Sequence, residues 1–419
     1  MNFTRTVLPN NSRLITAPRT DTQTASLFVM VKVGSRQETA RLNGAAHFVE
    51  HLMFKGTKKR PNVLALSKEL DGVGAEYNAF TGKDYTGYYV KTDARHLDMA
   101  IDVLSDMLLN SKFDATEIER EKGVIVEEIN MYEDNPSMHV DDLLEEQMFA
   151  GSTLGRNIAG TRETVRGLTR ADLAGYHARH YRGANIVIGV GGAFEDRHVK
   201  AIERSFRFPK STTQSNITKF TQTQRQPRIA VQFKETEQSQ LALGLPAYRF
   251  DHPRRYALRL LSVILGGNMS SRLFVRVRER HGLAYSVRSS VGSYEDTGSL
   301  VIQAGLDKLR IDQALKLILA ELEKMKLGVT RDELSRAKEF IAGSMALNLE
   351  DSASLIQWYI NQELFNQKIK TPDDVVKKMM AVTNDDIKRV ASELIRRDRL
   401  SLAVIGPYED SARFKKGIQ

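Results

Sequence analysis

Residues 168–194 read LTRADLAGYHARHYRGANIVIGVGGAF, and residues 382–408 read VTNDDIKRVASELIRRDRLSLAVIGPY. Each stretch shows the pattern of a capped helix followed by a short apolar strand. The two stretches lie 214 residues apart, about half of the 419-residue chain. The same helix and strand are therefore predicted to occur twice.

Two further pairs of segments support a duplication. Residues 113–130 match residues 329–346 at an offset of 216, and residues 46–56 align with residues 256–266 at an offset of 210. A period this long excludes a solenoid, whose repeats span about 20–50 residues. Each copy runs from strands through helices to further strands. This order favours the α+β class, with helices packed on one side of a mostly antiparallel sheet.

The chain is too long for one hydrophobic core, because single cores stop growing near about 250–300 residues. Residues 209–228 are rich in Ser, Thr and Gln and lack periodic apolar positions, which is typical of a linker. The sequence thus predicts an N-terminal domain at 1–208, a linker at 209–228 and a homologous C-terminal domain at 229–419.

Local patterns predict the elements of the first copy. Residues 1–18 indicate a strand, a turn and a strand, and residues 25–35 alternate like a strand with one buried face. Residues 75–92 indicate two strands separated near Gly82. Amphipathic helices are expected near 95–110, 114–133 and 137–149.

The composition is that of a globular protein, with 41% hydrophobic and 27% charged residues. No window holds the roughly 18 uncharged apolar residues that a membrane-spanning helix needs. The chain has no cysteine, which excludes disulfides, thiolate metal sites and cysteine nucleophiles. The N-terminus lacks the apolar core of a signal peptide. We therefore expect a cytoplasmic protein that does not interact with membranes.

The net charge is +9, from 61 Lys and Arg against 52 Asp and Glu. An excess of this sign is compatible with nucleic-acid binding. The positive residues are scattered, however, and no run interleaves them with aromatic residues. A basic surface that keeps the protein soluble is the simpler interpretation, and no nucleic-acid partner is expected.

The strongest chemical signal is the sequence His47-Phe-Val-Glu50-His51. Histidines four residues apart share one helix face and can direct both rings at one ion. Glu50 lies one residue before the second histidine, within reach of a metal-bound water. The motif inverts the HExxH zinc signature and is itself a known catalytic metal motif. The alternative is a pair of histidines that cap a core helix.

The predicted helix at 114–133 offers a third ligand. One stripe of this helix, at spacings of three and four residues, is apolar except for two glutamates. A buried carboxylate needs a partner, and a cation is an obvious one. The helical phase selects Glu128 as ligand and Glu121 as its support, whereas Glu127 falls on the solvated face. The alternative pairs both glutamates with basic residues at a domain boundary. The stripe comprises Ile118, Glu121, Ile125, Glu128 and Tyr132.

The second copy lacks every proposed metal group. Two histidines, one glutamate and an open fourth position describe a catalytic zinc site. We therefore predict one Zn2+ per chain, in the first copy, although other divalent ions accept the same ligands. Opposite His47, Glu50, His51, Glu121 and Glu128 stand Ala257, Leu260, Leu261, Ala337 and Ser344.

A rival pair, His177 and His180, lies near the end of another predicted helix. No acidic residue is evident nearby in the sequence. Histidines at a helix C-terminus also interact favourably with the helix dipole. A structural role is therefore expected for this pair.

The stretch GAAHFVEHLMFKGT, followed by a glutamate 77 residues after His51, resembles the M16 family of inverted-motif zinc peptidases. This family includes pitrilysin, insulin-degrading enzyme and mitochondrial processing peptidase, and the chain length resembles the short, processing-peptidase-like branch. The resemblance implies that His47, His51 and Glu128 bind zinc. It further implies that Glu50 is the general base on the zinc-bound water and that Glu121 supports catalysis.

The resemblance extends to a second motif, which runs from Arg278 to Tyr285 as RERHGLAY. In relatives this Arg and Tyr bind the substrate backbone and help to stabilise the oxyanion. The segment also holds Arg272, Arg276 and Arg280, so the residues alone do not select Arg278. One chain carries both motifs, which implies that no distinct partner subunit is needed.

The resemblance implies a zinc endopeptidase that cleaves peptides or unfolded processing substrates in an enclosed chamber, formed by a homodimer with shared active sites. The substrate would add as a strand to the edge at residues 77–81, contacting Asn78, Ala79 and Phe80, with Phe48 lining the adjacent pocket. A buried core strand would show the same pattern as this edge. The alternative function is a non-catalytic structural or assembly subunit, which often lacks the complete zinc motif.

Overall fold

The computed structural model describes residues 3–365 and 368–418. Within these ranges, short 3-10 turns and two π-helical turns, at Val263–Gly267 and Phe274–Glu279, join the regular elements. The strands are β1 (Thr4–Val7), β2 (Arg13–Pro18), β3 (Thr24–Val31), β4 (Glu76–Thr81), β5 (Thr86–Asp93), β6 (Ile186–Gly192), β7 (Arg228–Phe233), β8 (Gln238–Ala247), β9 (Ala284–Ser293), β10 (Gly298–Asp307) and β11 (Ser401–Gly406). The helices are α1 (Ala45–Met53), α2 (Val63–Asp71), α3 (Leu97–Asn110), α4 (Ala115–Asp134), α5 (Pro136–Met148), α6 (Arg162–Gly167), α7 (Arg170–His180), α8 (Asp196–Ser205), α9 (Arg255–Ser262), α10 (Ile311–Met325), α11 (Arg331–Asn348), α12 (Ser352–Leu364), α13 (Pro372–Met380), α14 (Asn384–Leu394) and α15 (Ala412–Ile418).

The strands form two sheets with equivalent topology. The first sheet has the order β1-β2-β6-β3-β5-β4, and the second has the order β7-β11-β8-β10-β9. Neighbouring strands are antiparallel except for the parallel pairs β2–β6 and β7–β11. Without β1, each position in the first sheet has a counterpart in the second. The predicted α+β class, mostly antiparallel sheets and duplication are thereby confirmed.

The chain divides into two compact units. The first contains the chain up to Ile129, Arg156–Thr218 and Met345–Thr371; the second contains Asn130–Gly155, Lys219–Ser344 and the chain from Pro372. The sequence predicts two domains that are each continuous in the chain. In the structure, the segment with α5 comes from the first half of the chain but belongs to the second unit, and the segment with α12 comes from the second half but belongs to the first unit.

Glycines in the sheets explain where the exchanged helices pack. In β6, a Cβ atom added at Gly189 would lie 2.5 Å from Ile360 and 2.7 Å from Ile356, both on α12. In β8, a Cβ at Gly244 would lie 2.2 Å from the sulfur of Met148 and 3.1 Å from Leu144, both on α5. Since neither sheet position could hold a side chain without a clash, glycine permits the close approach of each helix.

Both faces of the first sheet are covered, which corrects the prediction of helices on one side only. Alternate residues of a strand point to opposite faces. Ile15 and Phe28 pack in the cluster that includes α12, whereas Leu14 and Leu27 pack in the cluster that includes α1 and α3. The core is thus a helix layer on each face of the sheet.

The predicted linker contains no strand or helix before β7 begins at Arg228. In the first unit, the Ser215 hydroxyl lies 2.8 Å from His180 Nδ1, and the Ser215 amide donates to Asn185. In the second unit, the Phe220 amide donates to Asp296. This segment is therefore held against the units rather than left free. None of the helices in the described ranges combines the length and apolar character that a membrane crossing requires.

Candidate metal centre

Helix α1 carries the histidine motif and is anchored through its apolar face. Phe48, Val49, Leu52 and Met53 are buried in the core beneath it. Burying such side chains stabilises the helix position by about 1.5–3 kcal/mol for each residue. Phe48 has no exposed surface. This places Phe48 in the core rather than beside a substrate and corrects the prediction that it lines a binding pocket.

The start of α1 is fixed by Glu38, a residue that the sequence did not single out. Its carboxylate accepts hydrogen bonds from the Gly44 and Ala46 amides at 2.9 and 2.7 Å and from the Asn43 side chain at 3.0 Å. A carboxylate at this end satisfies free amides and complements the helix dipole. Gly44 itself has a φ of 98°, which favours glycine. Burial raises the pKa of Glu38 to about 7, against the lowering effect of these hydrogen bonds.

The side chains of His47, His51 and Glu128 converge on one point. The two Nε2 atoms lie 3.2 Å apart, and each lies 3.6 Å from Glu128 Oε2. The three side chains are 12%, 19% and 25% exposed, so the point is accessible from outside the core. Among the described residues, these three form the only group of His, Cys, Asp or Glu suited to hold a metal ion.

This ligand set fits zinc. Two ligands at about 2.0–2.1 Å from a tetrahedral ion lie about 3.3 Å apart, close to the distances observed here. Without a cation, two unprotonated Nε2 atoms this close would repel each other, so one of them would have to carry a proton and donate it to the other. A divalent ion satisfies both nitrogens and the carboxylate at once, and the N2O set is typical of zinc.

Glu121 determines which ring nitrogen of His51 faces the point where the three side chains converge. Its Oε1 lies 2.7 Å from His51 Nδ1, and its Oε2 lies 2.6 Å from Lys55 Nζ. A carboxylate accepts hydrogen bonds, so His51 donates from Nδ1 and leaves Nε2 free as a ligand. The sequence offered two interpretations of Glu121, as support for the metal site and as the partner of a basic residue. The structure contains both contacts, to His51 and to Lys55.

The electrostatics of the site follow from burial and from these pairs. Burial lowers the pKa of His47 to about 3, so its imidazole is neutral. Burial also raises the pKa of Glu128. For Glu121, burial acts to raise the pKa, but the hydrogen bonds from His51 and Lys55 outweigh it and the net pKa is lowered. The site therefore combines a neutral imidazole with an ionised supporting carboxylate.

Glu50 projects from α1 toward the end of β4. The Thr81 hydroxyl donates a hydrogen bond to Glu50 Oε2. Burial raises the pKa of Glu50, and repulsion from Glu128 adds to this effect. A half-buried carboxylate with a raised pKa beside a metal-binding set is suited to accept and release a proton.

The strand that carries Thr81 is an edge strand. Within the described sheet, β4 pairs only with β5, through a register that sets Ala79 opposite Tyr88. Its outer backbone groups have no strand partner, which is the arrangement that accepts an added strand. The alternative of a buried core strand is therefore excluded. Asn78 is exposed, and Ala79 and Phe80 are half-buried.

The helical phase of α4 distinguishes its two adjacent glutamates. Glu121 is buried and Glu128 is half-buried on the side that faces α1, whereas Glu127 is exposed. Ile118 and Ile125 complete the buried stripe. The prediction that selected Glu128 over Glu127 agrees with this placement.

Four of the five equivalent positions of the second unit are apolar and buried, and the fifth, Ser344, is half-buried. Ala257, Leu260, Leu261 and Ala337 are each at most 3% exposed. Within the part of the chain that the structure describes, the metal-binding group therefore has no counterpart at these positions.

The rival histidines bind protein groups. His177 Nε2 lies 3.0 Å from the Leu108 carbonyl oxygen, and His180 Nδ1 lies 2.8 Å from the Ser215 hydroxyl. Burial lowers the pKa of each to about 4, so both are neutral. Their contacts support the structural role predicted for them.

Arg278 and Tyr285 lie together in the second unit. The Arg278 guanidinium carbon is 5.6 Å from the centre of the Tyr285 ring and 4.8 Å from that of Phe274, within the range of cation–π contacts. Tyr285 is 74% exposed at the start of β9. Arg278 also lies in a π-helical turn, a feature often found at functional sites.

The other arginines of this segment have different surroundings. Arg272 forms a two-pronged ion pair with Glu333, at 2.6 and 2.8 Å. Arg276 lies 3.0 Å from Glu321. Arg272 and Arg276 are thus held by glutamates of α11 and α10, whereas Arg278 lies 3.9 Å from its sequence neighbour Glu279 and stacks on an exposed tyrosine.

Sequence reasoning missed Glu38 and Lys55, and it assigned Thr81 to the substrate edge at 77–81 without its contact to Glu50. Lys55 and Glu38 lie close to the histidine motif along the chain. Which groups they contact, Glu121 for Lys55 and the first amides of α1 for Glu38, depends on how the backbone folds. A glutamate upstream of a predicted helix is a weak capping signal, and no comparable signal marks the other two residues.

Comparisons with known proteins agree with this arrangement. The family model for insulinase (peptidase family M16) matches residues 13–162, and the model for the peptidase M16 inactive domain matches residues 167–341. His47, His51 and Glu128 all lie within the first match, and most of the second unit lies within the second match or beyond it.

Relatives match over nearly the whole chain. An uncharacterized zinc protease of Streptomyces coelicolor is 37% identical over 414 residues, which cover 97% of this chain and 90% of that protein. An uncharacterized zinc protease of Bacillus subtilis is 37% identical over 407 residues, or 97% of each chain. The crystal structure of a protease from Helicobacter pylori matches with a TM-score of 0.91 at 24% identity, covering 97% and 99% of the two chains, which shows a shared fold.

Proposed function

Because this chain belongs to peptidase family M16, we propose that it is a zinc-dependent endopeptidase that hydrolyses short or unfolded peptides. The observation that carries the proposal is the convergence of His47, His51 and Glu128, with Glu121 bound to one of the histidines. Structural zinc sites are closed by four protein ligands, whereas three ligands leave a position for water or substrate.

In this proposal His47, His51 and Glu128 hold one zinc ion per chain. The chemistry that zinc supplies in such a set is Lewis-acid activation of a carbonyl group and of water. Glu50 accepts a proton from the attacking water and delivers it to the leaving amine, with its carboxylate oriented by Thr81. Glu121 accepts a hydrogen bond from His51 Nδ1 and so directs the Nε2 atom of this ring toward the ion.

Substrate binding is proposed to use two further features. The exposed edge of β4, at Asn78, Ala79 and Phe80, supports the addition of a peptide as an antiparallel or parallel strand. Arg278 and Tyr285 would donate hydrogen bonds to the substrate backbone and to the oxyanion that develops in the transition state. Their mutual contact and the exposure of Tyr285 support this assignment.

Chelation tests the proposal directly. Cleavage of an unstructured peptide library should stop on addition of 1,10-phenanthroline and return on addition of zinc. The cooperative melting transition should persist, because the first unit has a large apolar core of its own and does not need a metal ion to build it. A preparation that contains zinc but cleaves no peptide would favour the alternative of a non-catalytic assembly subunit. Loss of cooperative melting on chelation would contradict a purely catalytic zinc.

A homodimer with shared active sites is a further part of the proposal. Relatives with four such domains enclose a chamber, and two copies of this two-domain chain would supply the same number. Twofold dimers are also the commonest oligomers. In this arrangement the zinc ligands of one subunit act with Arg278 and Tyr285 of the other.

Mixing two inactive variants tests the shared site. In a dimer that combines a Glu50→Gln subunit with an Arg278→Ala subunit, one active site carries both defects and the other carries none. Random exchange makes about half of the dimers mixed, so about a quarter of wild-type activity should return. Mass spectrometry of differently tagged subunits confirms exchange. Mixed dimers with no more activity than the separate variants would refute the shared site.

A further inference from the structure

Lys55 lies just beyond the end of α1 and contacts the carboxylate that supports the metal centre. Its Nζ is 2.6 Å from Glu121 Oε2, while the other oxygen of Glu121 is 2.7 Å from His51 Nδ1. The Glu121 side chain is only 4% exposed, and that of Lys55 is 25% exposed. Lys55, Glu121 and His51 thus form a continuous chain of contacts that ends at a metal-binding nitrogen.

From this geometry we propose that Lys55 is a positioning residue for the zinc centre. It fixes the Glu121 carboxylate so that one oxygen accepts from His51 Nδ1 and the Nε2 atom of His51 stays directed at the ion. The inference rests on the proposed function, because it assigns a role at the same site. The inference predicts that replacing Lys55 lowers the affinity for zinc. The effect is indirect, because the structure shows Lys55 in contact with Glu121 and not with any of the three ligands.

Burial is what gives this ion pair its effect. Ion pairs between exposed side chains contribute little, because water screens them and both chains lose freedom. Here the carboxylate is withdrawn from water, and a buried charge that loses one partner is strongly destabilised. Without Lys55, the free oxygen of Glu121 has to find solvent or another donor, and the carboxylate can turn away from His51.

The sign of the effect separates this role from simple electrostatics. A lysine near a bound cation repels it, so removal of an isolated positive charge should tighten zinc binding. Removal of a residue that orients a ligand should weaken zinc binding, by about 10–100-fold for groups that hydrogen-bond ligands. The two interpretations of Lys55 therefore predict opposite changes.

The test measures zinc dissociation constants by competition with a chromophoric chelator at fixed pH and ionic strength. Lys55→Met should bind zinc about 10–100-fold more weakly than the wild type. Lys55→Arg should recover most of the affinity, because it keeps the charge and the donors. Lys58→Met is the matched control, since Lys58 is an exposed lysine three residues further along, and its affinity should not change. If Lys55→Met does not fold, Lys55→Gln provides the same comparison.

A double-mutant cycle shows whether Lys55 acts through Glu121. In a Glu121→Gln background, Lys55→Met should weaken zinc binding little further, because the carboxylate that it positions is gone. Unchanged or tighter zinc binding by Lys55→Met, or additive effects of the two substitutions, would overturn the inference. These results would leave peptide cleavage by the wild type in place. A wild type that binds no zinc would instead refute the proposed function.

Discussion

Glu50→Gln is expected to lower the rate of peptide hydrolysis by about 10²–10⁴-fold, the range that general acid–base groups contribute. The amide has nearly the same shape as the carboxylate and can still accept the hydrogen bond from Thr81. It cannot accept the proton of the attacking water. Zinc should remain bound, because Glu50 is not one of the three converging ligands.

The measurement combines hydrolysis rates at saturating peptide with metal content after dialysis. The control is Glu119→Gln, which makes the same chemical change on the exposed face of α4 and should retain wild-type activity. If Glu50→Gln retained activity within a few-fold of the wild type, Glu50 would not be the general base. If it lost its zinc, the assignment of Glu50 outside the ligand set would be wrong.

The parts of this fold that sequence predicted are those encoded by local periodicity. The helices expected near 95–110, 114–133 and 137–149 begin and end within about two residues of α3, α4 and α5. The strand pair expected at 75–92 is β4 and β5. The spacing of three and four residues placed Glu121 and Glu128 on one face of α4, because helical phase is a short-range property.

Contacts between distant segments could not be read in the same way. The exchanged packing of α5 and α12 depends on small residues in strands such as Gly189 and Gly244, whose partners lie elsewhere in the chain. The pairing of Lys55 with Glu121 joins positions 66 residues apart and leaves no periodic trace. Sequence distance alone cannot rank such partners.

The error at Phe48 has a different origin. Its position next to His47 in the sequence suggested a shared environment, but adjacent residues of a helix do not face the same direction. Phe48 therefore points into the core, while His47 faces the metal-binding point. Arg278 shows the converse case, because Arg272, Arg276 and Arg278 have similar local sequence and are distinguished by what each contacts in the fold.

Glu128→Gln should remove most of the bound zinc and, with it, peptide hydrolysis. The Glu128 carboxylate supplies the only negative charge in the three-residue ligand set, and its loss leaves two neutral imidazoles and an amide to hold a divalent ion. The zinc dissociation constant should rise by more than the about 10–100-fold expected when a group that only supports a ligand is lost. Competition with a chelator and metal analysis of the dialysed protein measure the change.

Glu127→Gln is the matched control for this substitution, because it makes the same change one residue earlier on the exposed face of α4. The control should keep both zinc and activity, and the opposite pattern would show that the phase of α4 had been assigned incorrectly. Glu128→Gln should still fold, since burial already raises the pKa of this carboxyl group and thus disfavours its charged form. Zinc-free samples of the wild type and of Glu128→Gln should therefore melt at similar temperatures, so that lost affinity reports on the missing ligand rather than on a damaged fold.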